Sequence, residues 1–186
     1  MSQEIRISAR DRGQAPPGKK SLGTQRYQRY LAAFKRVERC LEEGFHLEAI
    51  AILDSLIGDR LASRLAYLLN KESNARWTVG GLCHKLLNGA ETDSAFRACA
   101  EQIRGWTERR NRAMHATAKI LRRVELTETF EELLQAHRGC VIDGIELLRE
   151  FDELDTAARK ANDAPKPATW PGAFSSPQNP EAVGRA

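Results

Sequence analysis

Apolar residues in the middle of the chain recur at intervals of three and four, the spacing that lines one face of a helix. Tyr27, Tyr30, Phe34, Val37 and Leu41 give a first helix such a stripe. A second, from about His46 to Leu69, carries Ile50, Leu53, Ile57, Leu61, Leu65 and Leu68 on one face and Ala49, Ile52 and Leu56 on another. A helix apolar on two sides belongs at the centre of a bundle. Gly80-Gly81 then precedes a short segment, Leu82 to Leu87. A third long helix opens at Asp93 or Ser94 with Phe96, Cys99, Ile103 and Trp106 on its stripe. The last starts near Thr127 as N-cap and shows Phe130, Leu133, His137, Val141, Leu148 and Phe151. No stretch alternates as a strand would.

Proline placement bounds this region. Pro16 and Pro17 precede it, and Pro165, Pro167, Pro171, Pro177 and Pro180 follow. Proline breaks helix interiors by removing a donor and clashing with the preceding turn. The expectation is an all-α fold: an antiparallel bundle of four to five helices over residues 21–160. A basic tail (residues 1–20) and a proline-rich tail (residues 161–186) are expected to be disordered.

Composition refines the picture only in places. Hydrophobic residues make up 41% and aromatics 6%, so the core is aliphatic. Cys40, Cys83, Cys99 and Cys140 are scattered singly along apolar stripes, which reads as reduced core thiols rather than a zinc site. No apolar run has the length of a membrane span and the N-terminus lacks the apolar core of a signal peptide, so a cytoplasmic protein is expected.

The net charge of +4 is mild, but its distribution is uneven. Between Arg97 and Arg123 eight basic residues face two acidic ones; between Val124 and Lys160 ten acidic residues face four basic ones. The two segments can neutralise each other, through Glu128, Glu131 and Glu132 for instance, or the basic one can bind a polyanion. The basic segment contains "ERRNRAMHA", residues 108–116. Continued past Trp106, the apolar stripe next meets Arg110, where a charge is costly unless it is paired or faces a cavity. Asn111 and His115, four apart, share one helix face beside it. The bland account has Arg110 snorkelling from the stripe's edge and His115 a satisfied, partly buried imidazole.

Arg110-Asn111-Arg112-Ala113-Met114-His115 resembles the R-x(4–6)-H signature of HEPN domains, the helical nucleotide-binding domains of higher eukaryotes and prokaryotes. Of the four histidines only His115 has an arginine five residues before it. The motif falls late in the bundle and before one long helix, as in that family, and the resemblance covers roughly Thr24 to Lys160. It implies a homodimer whose two motifs face each other, and an endoribonuclease that needs no metal or other cofactor.

On that resemblance His115 acts as acid and base, Arg110 stabilises charge on the phosphate, and Asn111 orients one or the other. Arg109, Arg112, Arg122 and Arg123 hold backbone phosphates. An acidic residue of the second helix faces the motif in some members; here it is Asp59 or Asp54, with Asp59 slightly favoured. The implied partner is RNA, in a toxin or antiphage-defence setting where an antitoxin or defence-system partner is possible. His115-Ala116-Thr117 departs from the H-x-Y continuation of some members, so a tyrosine-based switch is not expected. The alternatives are a non-catalytic helical module that binds nucleotide or protein, and a basic bundle that binds nucleic acid without cutting it.

Overall fold

The computed structural model describes residues 22–69, 77–116 and 129–161; the expected N-terminal tail lies outside them, and so does the C-terminal one except for Ala161, which is the last residue of a helix. It has five helices: α1 (Leu22–Glu43), α2 (His46–Leu69), α3 (Val79–Lys85), α4 (Ser94–Ala116) and α5 (Phe130–Ala161). Among the described residues there is no strand, and the fold is the expected all-α bundle.

Side-chain contacts give the directions. Arg36 of α1 bonds Glu48 of α2, while Tyr30 lies beside Arg60, so these helices run antiparallel. Asp54 meets Arg110 and Arg64 stacks on Phe96, which makes α4 antiparallel to α2 as well. Ser63 meets Arg159, and a Cβ on Gly144 would touch Leu53, so α5 runs parallel to α2. α2 contacts every other helix, the central position its two apolar stripes call for.

The element ends follow from local chemistry. Gly44 takes φ 81°, a left-handed conformation that costs a glycine little, and Phe45 N–H donates to the Cys40 carbonyl at 2.8 Å. This closes α1 in a Schellman turn and lets α2 begin two residues later. α4 opens at Ser94, one of the two expected starts, and Asp93 caps it by accepting from the amides of Ala95 and Phe96 at 2.8 and 3.2 Å.

Two starts differ from expectation. α3 begins at Val79, so Gly80 and Gly81 lie inside it; Thr78 Oγ1 accepts from Gly81 N–H at 3.2 Å and supplies the cap. The helix then widens into a π turn, Leu86–Ala90, within which Gly89 takes φ 115°. The start of α5 corrects the expected cap at Thr127, which falls outside the described residues. Thr129 is the cap. It accepts from Glu132 N–H while Glu132 accepts from Thr129 N–H at 2.7 Å, a reciprocal capping box.

The core forms around Trp106, Ile50, Leu53, Leu61, Ile103, Leu148 and Phe151, all fully buried. Trp106 donates its indole N–H to the Cys140 carbonyl at 2.8 Å. α5 can come this close because residue 144 is glycine: a Cβ there would stand 3.0 Å from Trp106 Nε1 and 3.1 Å from Leu53 Cδ1. All four cysteines are buried and free. Burial pushes the Cys83 and Cys99 thiols up to about 12.

Candidate functional site

The site is built where α4 leaves the core. Phe96, Cys99, Ile103 and Trp106 form its buried stripe, and Arg110 comes next. Its side chain is 15% exposed and its Nη2 reaches Asp54 Oδ1 of α2 at 2.6 Å. Nη1 donates to Asn111 Oδ1 at 2.6 Å. The charge due for an apolar position is thus paired, as burial requires.

This corrects the favoured acid. Asp54, half-buried beside the Leu53 and Ile57 stripe, faces the motif. Asp59 instead holds Arg60 at 2.7 Å, next to Tyr30, on the α1 side of α2. Residues five apart on a helix point about 140° away from each other, so both acids cannot face α4.

The other expected residues are placed less closely. Asn111, Arg112 and His115 are exposed. Among the described residues no hydrogen bond or ion pair joins His115 to Arg110. Arg109 pairs with Asp143 of α5 at 2.8 Å on the surface, so for this residue the acidic last helix does neutralise the basic one. Arg122 and Arg123 lie outside the described residues. Glu132, named above as a possible partner of theirs, is engaged in the α5 cap, which holds its carboxyl below the usual range.

Around this group the electrostatics are mixed. Burial raises the Cys140 thiol to about 11, against the opposing pull of Arg109, Asp143 acting in the same sense as burial. Met114, one turn past Arg110, is exposed although Ala113 beside it is buried. Among the described residues no group of three or more His, Cys, Asp or Glu side chains is placed to hold a metal ion. None of the described helices is long and apolar enough to cross a membrane.

A second cluster of charges was not foreseen. At the other end of α2, Arg64 bonds Glu91 at 2.7 Å and Arg159 bonds Asp155 at 2.8 Å, with all four side chains buried. Arg64 stacks 3.8 Å above the Phe96 ring. The second oxygen of Glu91 accepts from the amides of Thr92 and Asp93. Only the apolar stripes around Arg64 and Asp155 hint at this in the sequence, and nothing there pairs the four residues.

No protein-family model matches the chain, and no curated protein or solved structure matches it.

Proposed function

We propose that the protein is a HEPN-type endoribonuclease that cuts RNA by attack of a ribose 2′-OH on the adjacent phosphate, working as a homodimer in a toxin or antiphage-defence setting. The observation that carries this reading is Arg110, set in the apolar stripe of α4 and held at 2.6 Å by an acid of the second helix, five residues before an exposed histidine. An arginine so fixed presents a fork that can stabilise charge on non-bridging phosphate oxygens. Asn111, bonded to it, limits its motion. A histidine at His115 is free to take the 2′-OH proton and return one to the leaving 5′-oxygen. The products then carry a 2′,3′-cyclic phosphate and a 5′-hydroxyl. Exposed Arg112 and the basic residues beyond α4 suit phosphate contacts without sequence preference.

The second reading, a non-catalytic helical module, is favoured by a different observation. Arg110 already has a carboxylate and an amide, so it can serve as a structural pin between α2 and α4.

One experiment separates them. Purified protein is incubated with mixed RNA in EDTA, and fragments are tested for cyclic phosphate ends. Cleavage is expected, and His115→Ala should lower its rate by ~10²–10⁴-fold. Because His115 is exposed, its loss should leave helical content and melting temperature unchanged, so the rate reads chemistry. Arg110→Ala should abolish cleavage too. Intact RNA, or full activity in His115→Ala, would leave the pin as the better account.

A further inference from the structure

Two histidines outside the motif stand where the N-terminal ends of α2 and α5 meet. His137 of α5 is 2% exposed, and both its ring nitrogens are buried with no hydrogen-bond partner among the described residues. His46, the first residue of α2, also buries its Nδ1 without a partner, although its ring has a hydrogen bond with the Leu134 backbone, which favours the protonated form. His46 lies close enough to His137 for their charges to interact.

The charged groups around them offer no compensation. Arg138 of α5 faces His46. On α2, Glu48 is held by Arg36 of α1, and on α1 Glu43 is held by Arg39. On α4, Arg109 and Arg110 are engaged by Asp143 and Asp54. Cys40 of α1 and Cys140 of α5 stay thiols, because burial raises both. Among the described residues no carboxylate pairs with either ring, and no third ligand makes the pair a metal site.

His137 is also the first buried side chain of α5. From Phe130 to Ala136 every residue is exposed except half-buried Leu133. From Cys140 onward the helix is fixed by the Trp106 indole, Val141, Leu148 and Phe151. The first two turns of α5 therefore depend on the contact at His137.

We propose that His46 and His137 form an acid-sensitive latch, whose protonation releases the first two turns of α5 from the start of α2 while the rest of the bundle stays folded. A neutral imidazole fits at His137; an imidazolium there would be buried without an acceptor and against a second histidine, while one at His46 would have the Leu134 backbone but stand beside Arg138. Burial above all holds both side chains below 6.5; the neighbouring histidine adds to the effect at His137, while at His46 the Leu134 backbone opposes it and Arg138 adds to it. The released segment regains the ordinary value and binds a proton that the closed segment does not. The closed state is thus fully favoured above pH 6.5, weakens as pH falls through that value, and stops weakening below the lowered value. Each histidine can raise the opening constant by up to about tenfold per pH unit in that window. The latch does not depend on the ribonuclease reading.

The test is hydrogen exchange on the full chain, read by mass spectrometry as protection factors at pH 7.5 and pH 5. Protection of the amides from Leu134 to Arg138 should fall by about tenfold or more, while Val141 to Phe151 keep theirs. His137→Gln, neutral at both pH values, should remove most of the difference. His46→Gln, at a half-buried position where folding is not at risk, should reduce it. Equal protection at both pH values would overturn the latch. So would a uniform fall along α5, or an unchanged pH dependence in both variants.

Discussion

Both ends of the bundle set an arginine of one helix against an acid of another, but they do so in different surroundings. At the α3 end, Arg64, Glu91, Asp155 and Arg159 lie inside the protein, and Glu91 also accepts two backbone amides. At the motif end, Arg110 and Asp54 keep part of their surface in water and Arg109 with Asp143 about half of theirs. A buried pair attracts strongly because little water screens it, and breaking it strands a charge. An open pair is screened and can be traded for a ligand's charge. The closed end therefore fixes how α2, α4 and α5 meet, while the open end retains groups that can change partners.

The comparison is broken most directly at Glu91. Glu91→Ala would leave Arg64 buried between Phe96 and Asp155, which stands 3.9 Å away. The expected loss is ~3–5 kcal/mol by chemical denaturation. A loss below ~1 kcal/mol would mean that water reaches the cluster and that the two ends do not differ.

Gly144→Ala tests the packing midway between them. Its methyl group would press on Trp106 and Leu53, both fully buried, and should cost ~1–3 kcal/mol. The indole–Cys140 bond should lengthen with it, seen as a shift in Trp106 fluorescence. Wild-type stability with an unshifted spectrum would show that the helices part freely.

Smallest are the effects at the open end. Asp54→Ala is expected to lower stability by ~1 kcal/mol and Arg109→Ala by less than ~0.5 kcal/mol, because both pairs are screened. If Asp54→Ala matched Glu91→Ala, Arg110 would have to count as a core residue rather than a surface-facing one.

The fold was largely legible because burial and helical period act over many residues at once. The stripes of α2 and α4, and that of α1 from Tyr30 onward, read correctly (the Tyr27 side chain lies outside the described ones), and the opening of α4 was narrowed to Asp93 or Ser94. Single residues were harder. Gly80-Gly81 looked like a break, yet the Thr78 cap and the packing of Val79, Leu82 and Cys83 hold them in helix. Two threonines preceded α5, and only Thr129 has a glutamate three residues on within the described helix. Phe130 fell on the expected stripe but is 57% exposed. Asp54 and Asp59 could not be told apart in the sequence, because the choice depends on the angle at which α4 crosses α2. His137 was seen as a stripe position. That its nitrogens lack partners follows only from what surrounds it in space.

The turn at Gly44 and Phe45 has a consequence for the entropy of the chain. Arg36 and Glu48, which meet across it, are 12 residues apart, whereas Ser63 and Arg159 are 96 apart. Loop-closure entropy grows only with the logarithm of length, about 0.6 kcal/mol for each doubling. Three doublings separate the two contacts. Seating the far end of α5 on α2 therefore costs about 2 kcal/mol more in closure entropy than folding α1 onto α2. Burial along a helix of 32 residues outweighs that difference, so a chain that begins with a tight local hairpin can still be closed by its most distant helix.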